Sequence, residues 1–219
     1  MTGTVGLFGG TFDPVHLGHL RAAEEVRRLA RLDRVVFIPA FIPPHKGSGT
    51  DASPAHRLRM VELACQGREG FEVSPIEVEA GEKSYSIVTL RKFRALSPEA
   101  RLFFILGVDA FLEIGTWREY ERVLEECSFI VIGRPGFELE RARDVLGGRL
   151  RETMGPLAGG EGADGPLPPR TKVFLLPVRA LDISSTEVRA KARRGESLEG
   201  LVPASVAAYI REHQLYRGR

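Results

Sequence analysis

Between Gly9 and His19 the chain reads G-G-T-F-D-P-V-H-L-G-H. Two glycines let a backbone approach a phosphate closely, because neither has a side chain to hold it off. His16 and His19 are three residues apart and share a face if the first helical turn includes both. Two imidazoles facing bound phosphates can each donate a hydrogen bond, and Gly18 between them leaves room. Taken alone, such a pair also suits the surface or part of a metal site. At a strand-to-helix junction, glycines and histidines together favour a nucleotide site, because a helix N-terminus adds N–H donors and a positive dipole end.

A second cluster reads Asp182-Ile183-Ser184-Ser185-Thr186-Glu187-Val188-Arg189. Ser184 followed three residues later by Glu187 is a capping box. The plain reading is a helix start. The functional reading adds a second exposed helix N-terminus, with hydroxyls on Ser185 and Thr186. Arg189, a little over one turn in, can reach back to a polyphosphate.

The elements that must position these residues alternate. Thr4–Phe8 reads as a buried strand stopped by Gly9-Gly10, Leu17–Leu32 as an amphipathic helix, and Arg34–Ile38 as a second strand ended by Pro39. A Pro/Gly-rich loop spans Ala40–Asp51. A helix over Ser53–Cys65 follows, with Ser53 as N-cap and Pro54 first. Strands are predicted over Phe71–Val78, Leu102–Leu106, Phe129–Ile132 and Lys172–Leu176. Helices are predicted over Ser86–Leu96, Tyr120–Glu126, Ser184–Arg194 and Pro203–Gln214. Such alternation builds a doubly wound parallel α/β sheet, here with C-terminal helices. Gly155–Pro169, rich in glycine and proline, reads as a flexible insertion in a single domain over 1–219.

Composition removes several classes. There are 31 basic and 29 acidic side chains, a formal net charge of +2, so no basic field argues for nucleic acid. No apolar stretch approaches the ~20 residues that span a membrane, and the N-terminus lacks the pattern of a signal peptide. The two cysteines, Cys65 and Cys127, form no CxxC pair and suggest neither a disulfide framework nor a metal site. The expected place is the cytoplasm.

His16-Leu17-Gly18-His19 resembles the (H/T)xGH signature of the nucleotidyltransferase superfamily, and Ile183-Ser184-Ser185-Thr186-x-x-Arg189 resembles its second ATP motif. The longer G-G-T-F-D-P-V-H-x-G-H is similar to bacterial nicotinate mononucleotide adenylyltransferases. So are Pro43-Pro44-His45-Lys46, Ser84-Tyr85, Gly107-x-Asp109, Trp117, Arg134-Pro135-Gly136 and the V-P-x-x-V-x-x-Y-I from Val202 to Ile210. The resemblance runs in order through nearly the whole chain. It implies a Rossmann-like nucleotidyltransferase fold and transfer of AMP from ATP to nicotinate mononucleotide, giving deamido-NAD and pyrophosphate. ATP would lie on Gly9, Gly10, Thr11, Phe12, His16, His19, Gly107, Asp109, Ile183, Ser184, Ser185, Thr186 and Arg189. His16, His19 and Arg189 would act in catalysis. Lys46, Tyr85, Ser86, Trp117 and Arg134 would bind the acceptor, with Trp117 stacked on its pyridine ring.

Two positions depart from the family: Ser86 stands where threonine is usual, and Val88 where an aspartate is common. Mg²⁺ is expected on the ATP phosphates and water, with no protein ligand named. Two rivals stay open. One is a pantetheine-phosphate adenylyltransferase, against which the length, the PPHK segment and Trp117 stand. The other is a non-catalytic nucleotide sensor, which would not need His16, His19 and Arg189 together. The oligomeric state, monomer or homodimer, is left open.

Overall fold

The computed structural model describes residues 3–44, 49–133, 138–145, 152–156, 172–178 and 181–217. His45, Lys46, Arg134 and positions 157–169 of the expected insertion lie outside the described residues. The strands are β1 (Gly3–Gly10), β2 (Arg34–Pro39), β3 (Phe71–Val73), β4 (Ala100–Gly107), β5 (Ser128–Ile132), β6 (Met154–Pro156) and β7 (Val173–Leu176). They form one sheet in the order β3-β2-β1-β4-β5-β7-β6. β1 pairs with β4, β4 with β5, β5 with β7, and β7 with β6, each in parallel. The doubly wound parallel sheet expected from the alternating pattern is therefore present. Strand order reverses between β1 and β4, so their carboxyl ends mark the crevice where such sheets bind ligands.

The helices are α1 (Leu17–Leu29), α2 (Pro54–Cys65), α3 (Ile76–Ala80), α4 (Ser86–Leu96), α5 (Val108–Leu112), α6 (Tyr120–Glu126), α7 (Ala142–Val145), α8 (Ser185–Arg193) and α9 (Ala204–Glu212). Among the described residues no helix is long and apolar enough to cross a membrane. Local chemistry starts them where expected. The Ser53 side chain accepts the His56 N–H at the start of α2, where Pro54 stands first. The Ser184 hydroxyl accepts the Glu187 N–H at 3.1 Å at the start of α8.

Three expectations change. The strand expected over Phe71–Val78 stops at Val73, and Ile76–Ala80 is a short helix. Ile76 and Val78 also alternate with polar residues, but out of phase with Phe71 and Val73. Pro75 nonetheless opens a helix, acidic residues Glu77 and Glu79 suit its first turn, and Gly81 closes it in the left-handed conformation at φ 67°. The helix after His16 ends at Leu29 rather than Leu32, and Arg31 adopts φ 49°. Gly155 and Pro156, assigned to a loop by composition, lie in an edge strand beside β7.

The chain packs as two compact units. One holds Met1–Gly9, Ala22–Val35 and Tyr85–Ala180; the other holds Gly10–Arg21, Val36–Ser84 and Leu181–Arg219. In the first, Leu7, Phe103, Ile105, Phe129, Val131 and Phe174 are fully buried. In the second, Phe37, Ile38, Met60, Val188 and Val206 are. Cys65 and Cys127 are both buried free thiols, and burial pushes each thiol pKa up to about 12. At neutral pH they are protonated apolar fillers rather than nucleophiles.

Candidate active site

The second unit carries the turn from Gly10 to His16 and the start of α1. β1 ends in Gly10, Phe12 takes the left-handed φ of 50°, and α1 begins at Leu17. A β-carbon on Gly10 would stand 2.9 Å from the Phe12 ring, so the turn requires glycine there. His16 immediately precedes α1, and its carbonyl accepts the His19 N–H at 3.0 Å. The two imidazoles are bonded reciprocally: His16 N–H donates to His19 Nδ1 at 3.2 Å, and His19 N–H donates to His16 Nδ1 at 3.3 Å. A ring nitrogen that accepts carries no proton, so these bonds assign both neutral rings the tautomer with Nε2 as donor. The rings stack with centroids 3.6 Å apart. Gly18 is a steric condition for this pair, since a β-carbon there would lie 3.0 Å from His16 Nδ1.

Helix α8 belongs to the same unit. Its Ser185 hydroxyl donates to the Pro14 carbonyl at 2.9 Å. Arg189 donates from Nη1 to the Asp13 carbonyl at 2.7 Å and pairs through Nε with Asp51 Oδ2 at 2.8 Å. Arg193 forms an ion pair with the other Asp51 oxygen. The segment carrying the histidine pair and the start of α8, far apart in sequence, are thus joined through the Pro14 and Asp13 carbonyls. Ile183 and Ser185 are half-buried beside them, while Ser184 and Thr186 are exposed.

Arg57, on α2, has a structural role, and its surroundings say what that role is. Its side chain is fully buried and donates to the carbonyls of Thr11 at 2.8 Å, Ala40 at 2.6 Å, Phe41 at 2.9 Å and Ala52 at 3.3 Å. Burial lowers the guanidinium pKa from its usual value, and the Asp13 carboxylate opposes that shift. Arg57→Met is expected to destabilise the fold by about 3 kcal/mol or more, since it leaves several buried carbonyls without donors. A urea unfolding midpoint within error of the wild type would contradict this.

The first unit carries the remaining candidates. Gly9 and Gly107 lie at the carboxyl ends of β1 and β4. A β-carbon on Gly9 would sit 3.3 Å from the Phe104 ring, which Trp117 meets edge-on with centroids 6.1 Å apart. Trp117 is half-buried, so part of its surface is open to a ligand. Asp109 is the second residue of α5, whose N-cap is Gly107. Tyr85 is the N-cap of α4 and Ser86 its first residue, with no side-chain cap on the helix start. Arg118 stands over the Tyr85 ring at 5.0 Å. Val88, the position lacking the family's common aspartate, is exposed. Nothing in the structure explains that substitution.

Sequence reasoning did not single out Asp13, Asp51, Arg193 or Tyr216. Asp13 is only 2% exposed, and its carboxylate accepts from Asp51 N–H at 2.8 Å, Ala52 N–H at 3.2 Å and the Tyr216 hydroxyl at 2.9 Å. Its place inside the glycine–histidine string was the one available signal. Among the described residues no group of three or more His, Cys, Asp or Glu side chains could hold a metal ion.

Comparison with known proteins gives consistent relatives. The cytidylyltransferase-like family matches residues 7–191. A probable nicotinate-nucleotide adenylyltransferase of Desulfatibacillum aliphaticivorans is 44% identical over 216 residues, covering 97% of this chain and 99% of that one. One of the same name from Pelobacter propionicus is 44% identical over 220 residues, covering 97% of each chain. The Plasmodium falciparum nicotinic acid mononucleotide adenylyltransferase complexed with NaAD superposes with a TM-score of 0.72 at 19% identity, over 98% of this chain and 97% of that one. That likeness shows the fold. On the family match and the near-full-length identity, this chain belongs to the nicotinate-nucleotide adenylyltransferase family of the cytidylyltransferase-like proteins.

Proposed function

We propose that this protein transfers the adenylyl group of ATP to nicotinate mononucleotide, releasing pyrophosphate and forming nicotinate adenine dinucleotide in NAD synthesis. The observation that carries adenylyl transfer is the junction of the His16–His19 pair with Ser185 and Arg189 in one unit. These groups supply N–H and O–H donors suited to phosphate oxygens. The choice of acceptor rests on the names of the relatives.

The acceptor's phosphate monoester has a second pKa of about 6 and is already anionic at neutral pH. Its oxygen attacks the α-phosphorus of ATP in line, the bond to the bridging oxygen breaks, and pyrophosphate leaves with the electron pair. No general base or covalent intermediate is needed. The protein's share is positioning and stabilisation of charge on the transferring and leaving phosphates. We assign that share to His16 and His19 through Nε2–H, to Arg189, and to the N-termini of α1 and α8. The Gly9–Phe12 turn, Gly107, Asp109 and Ile183–Thr186 complete the ATP site in this reading. Lys46, Arg134, Tyr85, Ser86 and Trp117 take the acceptor.

A divalent cation fits this donor set only as a rider on the ATP phosphates. Asp13 and Asp51 already accept from N–H, O–H and guanidinium groups, and the other phosphate-facing side chains are donors. We assign it as Mg²⁺, which keeps most of its waters and would neutralise charge on the triphosphate. The reduced, buried cysteines suit a cytoplasmic enzyme.

The start of α4 supplies main-chain N–H groups and the Ser86 hydroxyl, and its dipole favours an anion such as the nicotinate carboxylate. Hydrogen bonds to a charged group are worth about 1.5–3 kcal/mol, so kcat/KM should favour nicotinate over nicotinamide mononucleotide by roughly tenfold or more. Trp117→Ala should weaken both acceptors, and Ser86→Ala should narrow the gap between them. The test is pyrophosphate release with ATP, Mg²⁺ and each of nicotinate mononucleotide, nicotinamide mononucleotide and phosphopantetheine. Turnover only with phosphopantetheine would overturn the acceptor, and ATP binding without any turnover would make the protein a sensor. Equal efficiency on the two pyridine nucleotides would remove the preference.

A further inference from the structure

Tyr216 lies in the tail that follows α9, far in sequence from either ATP motif, yet its side chain is only 7% exposed. Its hydroxyl donates to Asp13 Oδ1 at 2.9 Å. Burial and the adjacent Asp13 carboxylate push the phenol pKa well above its usual value, so the hydroxyl keeps its proton. The tail reaches this position through two non-glycine residues in the left-handed region, Gln214 at φ 50° and Tyr216 at φ 66°. Such backbone costs free energy and persists where the surroundings hold it.

What it reaches is a junction. Asp13 Oδ1 also accepts the Ala52 N–H, and Oδ2 accepts the Asp51 N–H. The Asp13 carbonyl accepts from Arg189, which also pairs with the Asp51 carboxylate and donates from Nη2 to the Thr186 hydroxyl at 3.4 Å. One buried residue thus ties the turn that leads to His16, the segment carrying Asp51, helix α8 and the tail. The circuit Asp13–Asp51–Arg189–Asp13 closes on itself, and Tyr216 closes the remaining side of the Asp13 carboxylate.

We infer that Tyr216 and Asp13 are positioning residues for ATP: together they set the Asp13–His16 backbone against Arg189, so that the histidine donors and the guanidinium meet one triphosphate. This rests on the reading of His16, His19 and Arg189 as the phosphate-binding set. Neither Tyr216 nor Asp13 is assigned a contact with substrate. Their effect is on ATP and not on the acceptor.

The test uses the full chain with Tyr216→Phe, which keeps the ring and removes the hydroxyl, and Asp13→Asn, which keeps the shape and removes the charge. ATP with Mg²⁺ is titrated calorimetrically without acceptor, thermal midpoints are recorded, and pyrophosphate release is measured against ATP and against nicotinate mononucleotide. Tyr216→Phe is expected to bind ATP about fivefold to tenfold more weakly, consistent with loss of a hydrogen bond to a carboxylate. Its kcat/KM for ATP should fall at least as much, with KM for the acceptor within about twofold of wild type. A lowered thermal midpoint with unchanged ATP affinity and turnover would make the contact merely structural and overturn the inference. Should Tyr216→Phe not fold, Asp13→Asn decides the matter by the same ATP readout. A wild type that binds ATP but transfers nothing to nicotinate mononucleotide overturns the proposed acceptor, while the binding ratio still judges Tyr216. A wild type that binds no ATP overturns both.

Discussion

His19→Ala is expected to lower kcat by on the order of 100-fold, as for loss of one preorganised donor to a developing oxyanion, while the protein stays folded. The size follows from how the donor is held. His19 Nδ1 is engaged by the His16 N–H, and His16 Nδ1 by the His19 N–H, so neither ring needs to change tautomer to present Nε2–H. The stacked rings, 3.6 Å apart, restrict each other's rotation. A donor fixed in this way costs little reorganisation when charge builds on the transferring phosphate. The stability cost should be modest, about 1 kcal/mol, because His19 is only half-buried and alanine removes one side-chain acceptor from a helix-start N–H. His19→Asn, which can both accept and donate, should recover part of the loss. Steady-state rates at saturating ATP and acceptor, with thermal melting alongside, separate the two effects. Normal turnover in a folded His19→Ala protein would remove His19 from the mechanism.

Much of this was legible in the sequence because it is local. The glycine turn, the histidine spacing and the serine cap of α8 each lie within a few residues, and local rules describe them. Their joining was less legible. Nothing in the spacing of Ser185 or Arg189 says that their partners are the Pro14 and Asp13 carbonyls. Arg57 reads as a structural arginine on a helix of mixed composition, with nothing in its spacing to name its partners. Only the three-dimensional path of residues 11–52 surrounds it with four carbonyls. Tyr216 is harder still, because its partner is 203 residues away and the pairing needs two left-handed backbone positions that no residue type announces. The reverse error, a strand drawn through Ile76 and Val78, arose because alternating apolar residues also occur in a short helix bounded by Pro75 and Gly81.

Arg189→Ala is expected to lower kcat/KM for ATP by roughly 100-fold to 1000-fold, the range for removing a cation that stabilises a transferring phosphoryl group. The guanidinium is planar, and its present partners define its orientation: Nη1 on the Asp13 carbonyl, Nε beside the Asp51 carboxylate. Its side chain is 16% exposed, so an anion arriving there meets a charge already largely stripped of water. Lysine should restore little. A single ammonium cannot hold the Asp13 carbonyl and the Asp51 carboxylate in this geometry while also reaching a phosphate. The effect on stability should be much smaller than on catalysis, because Asp51 is about one-third exposed and keeps Arg193. Asp51→Asn separates charge from orientation. It leaves the guanidinium in place but weakens the hold on it, so a loss of only several-fold is expected, carried by ATP and not by the acceptor. If Asp51→Asn were as damaging as Arg189→Ala, the arginine would act by holding Asp51 and its loop rather than by meeting the phosphates. Measuring kcat/KM for ATP in the three variants, at a fixed saturating acceptor concentration, distinguishes these roles. Near-normal efficiency in a folded Arg189→Ala protein would dismiss both.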